Sequence, residues 1–131
     1  MREMLFRGKD FSGALNRSWM FGSLDTTENE YTIMIYPDRF GNKCRIFIDP
    51  KTVGQYIDLT DKNGKKIFEG DIVKYKNNSP CKIGYIDSQF VMMWKNIYRN
   101  FEQVYDDEIE VIGNIYDNPE LLEVENAEHT I

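Results

Sequence analysis

The side chains that most often carry out chemistry are few in this sequence and form no catalytic set. Histidine occurs once, as His129, which excludes a His-based triad and a multi-histidine metal site. Three consecutive acids, Asp106-Asp107-Glu108, offer oxygen ligands of the kind divalent cations prefer, but the spacing of an EF-hand loop is absent. The phosphate-binding patterns GxxxxGKS/T and GxGxxG are missing, and nothing selects a carboxylate pair for glycoside chemistry. We therefore expect no catalytic residues, no cofactor and no metal.

The two thiols, Cys44 and Cys81, are isolated and lack CxxC spacing. No stretch approaches the roughly 20 apolar residues of a membrane span, and Met1–Arg7 lacks the apolar core of a signal peptide. These features predict a cytoplasmic protein that does not bind membranes, with reduced and partly buried thiols.

Charge is unevenly distributed along a chain whose net charge is −6. Residues 102–131 hold ten acids and no lysine or arginine, whereas the other 101 residues hold 16 basic and 12 acidic side chains. One interpretation is a solvated sheet face followed by an acidic tail, and the other is a basic face for an anionic partner. The residues of that candidate anion-binding face are Lys62, Lys65, Lys66, Lys74, Lys76 and Lys82.

Strands must position these side chains, because apolar residues alternate with a period of two in short runs separated by turn residues. Residues 95–104 fit either one or two helical turns or an irregular edge strand. Asn118-Pro119-Glu120 has the cap and first-turn residues that open a short helix. The predicted strands are Trp19–Leu24, Tyr31–Tyr36, Lys43–Ile48, Val53–Leu59, Ile72–Lys76, Cys81–Ile86, Phe90–Trp94 and Glu108–Tyr116.

We predict a mainly β protein with a small N-terminal antiparallel β lobe in residues 1–60. An SH3-like β-barrel or roll with a short terminal helix follows in residues 61–124, and residues 125–131 form a flexible acidic tail. Structural turns are expected at Asn63, Gly64, Gly70 and Asp71. The turn at Asp61-Lys62-Asn63-Gly64 fits either an Asn-Gly type I′ turn or a type I turn with a G1 bulge, and both place Gly64 at positive φ.

Four aromatic residues of the N-terminal lobe, Trp19, Phe21, Phe40 and Phe47, exceed what so small a lobe can bury. Exposed aromatic patches tend to be partner surfaces, so these residues are the candidate surface for self-association or for a protein partner. The alternative is that the rings fill the seam between the two lobes of a monomer.

Three segments resemble a known family. TVGQY (Thr52–Tyr56), DKNGKKIFEGDIV (Asp61–Val73) and VIGNIYDNPELLE (Val111–Glu123) are similar to the YopX family of phage and prophage proteins. Family members usually carry Thr-Gly where this chain has Ile57-Asp58. This difference lies at the local bend before the Asp61–Gly64 turn. The resemblance implies a mostly β protein with an SH3-type barrel, encoded by phage or prophage, without an established activity or catalytic residues to carry over.

Three classes of function remain. The first is a non-enzymatic accessory protein of the bacterial host cell, acting as a protein–protein interaction module. The second is a nucleic-acid-associated protein that uses the lysine-rich barrel face, although the net negative charge and the lack of an arginine-rich stripe disfavour it. The third is an enzyme of unrecognised type. The first class is our prediction.

Overall fold

The computed structural model describes residues 4–25 and 32–123. It is mainly β, with two antiparallel sheets and one short helix, so the predicted fold class is confirmed at that level. The chain divides into two compact units, Met1–Tyr56 and Ile57–Ile131. The division falls inside the fifth strand, Gly54–Thr60, and the predicted boundary after residue 60 lies at the end of the same strand. His129 and the predicted tail at 125–131 lie outside the described residues.

The first unit is an antiparallel sheet whose strands are hydrogen-bonded in the order β4-β3-β2-β1-β5. A 3-10 turn at Pro50–Thr52 joins β4 to β5, and Asp49 caps it by accepting a hydrogen bond from the Lys51 backbone N–H. The strands are β1 (Phe6–Lys9), β2 (Trp19–Asp25), β3 (Thr32–Pro37), β4 (Lys43–Ile48) and β5 (Gly54–Thr60).

The core of the first unit lies on one face of this sheet. Met34, Ile46 and Ile48 are buried there, and Met34 of β3 stands directly opposite Ile46 of β4. Successive residues of a strand point to opposite faces, so their neighbours along the strands, such as Ile33, Ile35 and Phe47, belong to the other face. Phe6, Met20, Leu24, Tyr36 and Val53 are partly buried against this cluster.

The second unit contains the end of β5, which pairs with β6, and a five-stranded sheet in the order β10-β9-β8-β7-β11. Residues 98–100 form the edge strand β10, so the edge-strand interpretation of residues 95–104 is confirmed. Residues 120–123 are helical, as predicted. The strands are β6 (Lys66–Phe68), β7 (Asp71–Tyr75), β8 (Cys81–Ile86), β9 (Gln89–Met93), β10 (Tyr98–Asn100) and β11 (Ile109–Asn114).

The larger core belongs to the second unit and follows the alternation of its strands. Val73 of β7 stands opposite Cys81 of β8, and Ile83 stands opposite Met92 of β9. Neither cysteine is in a disulfide bond: Cys81 is fully buried, and Cys44 of the first unit is half-buried. The buried residues of this cluster are Ile57, Ile67, Val73, Tyr75, Cys81, Ile83, Met92 and Ile109.

The turn that opens the second unit is a type I turn followed by a G1 bulge. The backbone N–H of Gly64 donates to the Asp61 carbonyl at 3.0 Å, and the backbone N–H of Asp61 donates to the Lys65 carbonyl at 2.8 Å. Gly64 has φ +78°, as predicted, while Asn63 is not among the residues with positive φ. A type I′ turn requires positive φ at both central residues, so that alternative is wrong.

A second turn, between β6 and β7, connects three parts of the second unit. Gly70 has φ +91°, its N–H donates to the Ile83 carbonyl, and its carbonyl accepts from the Ile115 N–H, each at 2.9 Å. The buried carboxylate of Asp71 accepts a hydrogen bond from the Phe68 N–H at 2.8 Å. Glycine is needed here because an L side chain is strained at such a φ.

Candidate functional site

The first unit presents a sheet face that combines apolar and basic side chains. It is the face opposite the Met34 and Ile46 core, because its residues alternate with the core residues along each strand. Ile33 of β3 stands directly opposite Phe47 of β4, and Arg7 of β1 stands opposite Phe21 of β2. Three of the four predicted aromatic residues, Trp19, Phe21 and Phe47, share this face, which we call the outer face.

The aromatic residues of the outer face differ in exposure. Phe21 is 47% exposed and Phe47 is 45% exposed. Trp19 is half-buried, with the guanidinium carbon of Arg7 at 4.7 Å and Nζ of Lys9 at 5.4 Å from its ring centroid. Both distances are in the range of a cation–π interaction. Trp19 is therefore engaged by neighbouring cations, and the phenylalanines supply most of the accessible apolar surface.

Phe40, the fourth predicted residue, lies apart from the outer face. It occupies the β3–β4 hairpin turn, where it is 75% exposed. The Asp38 carboxylate organises this turn by accepting hydrogen bonds from the backbone N–H groups of Phe40 at 2.8 Å and Asn42 at 2.9 Å. The bonds from Asn42 and Phe40 hold the pKa of Asp38 below its ordinary value, against the opposing effect of burial. The hairpin turn thus presents Phe40 to solvent on a loop that is held by hydrogen bonds to Asp38.

An open groove of about 470 Å³ lies along the edge of β4 in the first unit. One side consists of the loop Ser12–Leu15, and the other consists of side chains from β3 and β4. The sequence pattern does not predict this groove, because the loop reaches the edge of β4 through a contact that is distant in sequence. The lining residues are Ser12, Ala14, Leu15, Ile33, Tyr36, Arg45, Ile46 and Phe47.

The six lysines of the predicted anion-binding face do not all come together. Lys62, Lys74 and Lys76 line one groove of about 440 Å³, but the same groove is lined by Asp107, Glu108 and Glu110. Lys65 lies in the turn before β6, Lys66 in β6, and Lys82 in β8 opposite Ile72 and Met93. The groove therefore contains as many carboxylates as ammonium groups.

Two ion pairs connect the lysines and acids of this groove. Nζ of Lys62 lies 3.6 Å from Oε1 of Glu110, and Nζ of Lys76 lies 3.1 Å from Oε2 of Glu108. The hydrogen bond from the Tyr105 backbone N–H and then the bond from Lys76 hold the pKa of Glu108 below its ordinary value. The hydrogen bond with Glu108 is the main reason that the pKa of Lys76 is raised. Lys62 and Lys76 thus each already have an anionic neighbour.

The second unit contains a smaller cavity of about 230 Å³, which the sequence pattern does not predict either. The indole N–H of Trp94 donates to the Ser79 carbonyl at 2.8 Å, and the guanidinium carbon of Arg99 lies 5.4 Å from the centroid of the Tyr75 ring. The lining residues are Tyr75, Asn78, Trp94, Ile97 and Arg99. The sequence contains the aromatic residues Tyr75 and Trp94, but its apolar pattern does not predict that they line the same cavity.

Metal ligands do not gather in residues 4–25 and 32–123, where no group of three His, Cys, Asp or Glu side chains could hold an ion. The three acids at 106–108 form a 3-10 turn. Its last carboxylate, that of Glu108, is engaged by the Tyr105 N–H and by Lys76. Within the same described residues, no helix has the length and hydrophobicity to cross a membrane.

Comparison with known proteins gives a matching family and similarity to solved structures. The model of the YopX protein family matches residues 6–123. The crystal structure of protein EF1440 from Enterococcus faecalis is similar to the chain, with 26% sequence identity and a TM-score of 0.57. The similarity covers 93% of this chain and 99% of EF1440. No curated protein matches the sequence.

Proposed function

The chain belongs to the YopX protein family, and from this premise we propose that it is a non-enzymatic, phage- or prophage-encoded accessory protein that acts through protein–protein contacts. It acts in the cytoplasm of the bacterial host cell. The first unit supplies the contact surface, and the second unit, which we propose is an SH3-like roll, supplies stability. The support for this division is the distribution of exposed phenylalanine.

Phenylalanine side chains are exposed in the first unit and covered in the second. Phe11, Phe21, Phe40 and Phe47 are each at least 45% exposed, and they are four of the five phenylalanines in residues 1–56. In the second unit Phe68 is buried, and Phe90 and Phe101 are partly buried. A phenylalanine ring has no polar atom to hydrate, so exposed rings that are concentrated on one unit mark a partner surface.

The proposal predicts that the outer-face phenylalanines are needed for association. We expect the wild-type protein to self-associate at micromolar concentration or to bind a host or phage protein, and the double variant Phe21→Ser/Phe47→Ser to lose that association by at least about tenfold. Tenfold corresponds to about 1.4 kcal/mol, less than the full burial of one phenylalanine contributes. Sedimentation velocity measures self-association, and affinity capture from infected or lysogenic host cells measures partner binding.

The matched control is Tyr98→Ser in the second unit. Tyr98 is 49% exposed, so this substitution removes a ring about as accessible as those of Phe21 and Phe47. It should leave association unchanged. A wild-type protein that stays monomeric and captures nothing would contradict the proposal, and so would an effect of Tyr98→Ser as large as that of the double variant.

The alternative, a nucleic-acid-associated protein, has weaker support. Phosphate binding requires cations that are free to replace counterions, whereas Lys62 and Lys76 lie beside Glu110 and Glu108. The ion pairs do not exclude an anionic ligand, because both are at the surface and weak. They give no reason to prefer one.

A further inference from the structure

β4 is the edge strand of the first unit, paired with β3 on one side. On its other side, which we call the open edge, the chain itself covers only one end of the strand. Asp10 forms a bridge with Ile48, and the Phe11 N–H donates to the Phe47 carbonyl at 2.8 Å. In residues 4–25 and 32–123, no backbone hydrogen bond reaches the open edge of β4 at Lys43–Ile46. Since alternate residues direct their backbone groups to the same side, Lys43 and Arg45 present theirs to that side, as Phe47 does.

The covering segment leaves the edge at Asp10. The buried carboxylate of Asp10 accepts hydrogen bonds from the backbone N–H groups of Ser12 and Leu15, each at 2.9 Å, and Gly13 has φ +85°. These contacts turn the chain away from β4 after a single bridge. The groove of about 470 Å³ therefore begins where the chain's own pairing ends, and Leu15, Ile46 and Phe47 provide apolar side chains along it.

We propose that this groove receives an extended segment of a partner protein, which pairs with β4 as an added strand and places acidic side chains beside Lys43 and Arg45. The inference rests on the proposed function, because it specifies how the first unit contacts a partner. Strand addition satisfies the open backbone groups, and alternate side chains of the added strand give the specificity. Apolar residues of the segment alternate with the acidic ones and would contact Ile46, which lines the groove and lies on the face opposite Arg45.

The charges of β4 favour an acidic partner over a second copy of this chain. Two residues that face each other in an antiparallel pair direct their backbone groups to the same side, either both across the pair or both away from it. In a two-fold pair of β4 strands within Lys43–Ile46, Lys43 and Arg45 can therefore face only each other or themselves. Lys43 would then face Arg45, or one of these two residues would face its own copy, and like charges that face each other across a strand pair are destabilising. Arg45 already bonds Asp25 through Nη2 at 2.8 Å, but a guanidinium has five donors and can take a second carboxylate.

The test uses two labelled peptides of about six residues, a common strand length, one alternating valine with glutamate and the other alternating valine with lysine. Fluorescence polarisation against the full chain gives both affinities. We expect the acidic peptide to bind about tenfold more tightly. The double variant Lys43→Glu/Arg45→Glu should reverse the preference, since each facing pair changes from attraction to repulsion.

A backbone test separates strand pairing from simple charge attraction. Arg45→Pro removes an N–H that points away from β3, a position where an edge strand tolerates proline, and should weaken acidic-peptide binding about tenfold. Arg45→Gln keeps the N–H and should bind more tightly than Arg45→Pro. If thermal melting shows that Arg45→Pro does not fold, the charge-reversal variant decides the question.

Three results would overturn strand addition at β4: no binding of the acidic peptide up to millimolar concentration, equal binding of both peptides, or unchanged binding by a folded Arg45→Pro. If any of these occurs while Phe21→Ser/Phe47→Ser still abolishes partner association, the proposed function stands and the inference fails. If the phenylalanine variants also have no effect, the proposed function fails as well.

Discussion

Asp61 links the turn that opens the second unit to its last strand, and its replacement by asparagine should be costly. Only 2% of Asp61 is exposed. One carboxylate oxygen accepts hydrogen bonds from the backbone N–H groups of Asn63 and Lys65, each at 2.9 Å. The other accepts from the Val111 N–H, also at 2.9 Å. Asp61→Asn keeps the size of the side chain but replaces one oxygen with an NH₂ group.

The expected loss follows from these three hydrogen bonds. Whichever way the amide is oriented, its NH₂ group faces at least one backbone N–H, and an unsatisfied buried donor costs about 1–3 kcal/mol. The remaining bonds change from charged to neutral acceptors, which are worth less by about 0.5–1 kcal/mol each. We therefore expect Asp61→Asn to lower the free energy of unfolding of the second unit by about 2–4 kcal/mol at neutral pH.

The same contacts predict how this loss depends on pH. Burial is the largest single influence and raises the pKa of Asp61, but the hydrogen bonds from Val111, Lys65 and Asn63 together outweigh it and lower the pKa below the ordinary value of 3.8. A carboxylate whose pKa is lower in the folded state stabilises the fold above its unfolded pKa, and this contribution is lost as the pH falls through the folded pKa. The difference between wild type and Asp61→Asn should therefore shrink below about pH 4.

Urea unfolding followed by tryptophan fluorescence measures this effect. Each unit contains one tryptophan, Trp19 or Trp94, so a Trp19→Phe background leaves Trp94 to report on the second unit. The control is Asp38→Asn in a Trp94→Phe background, where Trp19 reports on the first unit, which contains Asp38. Asp38 also accepts two backbone N–H groups in a turn but is half-exposed, so its replacement should cost no more than about 1 kcal/mol. A loss below about 0.5 kcal/mol for Asp61→Asn, or a loss independent of pH, would refute the reasoning.

Two further predictions concern left-handed backbone positions. Gly64→Ala should lower the free energy of unfolding by roughly 1 kcal/mol or more, because a Cβ is strained at φ +78°, and an unchanged midpoint in the same urea assay would show that the turn tolerates it. Asp58 has φ +73° within β5, so Asp58→Val should cost about 1–2 kcal/mol while Asp58→Gly is neutral or stabilising. Equal stability of the valine and glycine variants would contradict this account.

Strands and turns were predictable because their signals are local. Lys43–Ile48 and Cys81–Ile86 have the predicted limits, since both alternate cleanly and both follow turn residues. Gly64 was predictable for the same reason, because both turn types that fit an Asn-Gly pair between two apolar runs place the glycine at positive φ. The type of turn was not predictable, because it depends on the backbone of Asn63.

Long-range contacts could not be read from the sequence. The hydrogen bond from Val111 to Asp61 spans 50 residues, and the bridge between Asp10 and Ile48 joins segments with no shared motif. For the same reason the sequence identified lysines but not the carboxylates beside them. It predicted accessible aromatic residues in the first unit, yet it did not show that Arg7 and Lys9 lie against the ring of Trp19.

The departure from the family pattern at Ile57-Asp58 leaves the bend of β5 in place. Asp58 adopts the left-handed conformation that glycine, the usual family residue, enters without strain. Aspartate is among the few other residues that tolerate this region. The regular alternation of β5 is interrupted here, because Tyr56 and Ile57 are both buried while Asp58 and Leu59 are both exposed. The bend therefore accompanies the change of buried face along β5, and the aspartate at position 58 adopts the backbone conformation that the bend needs.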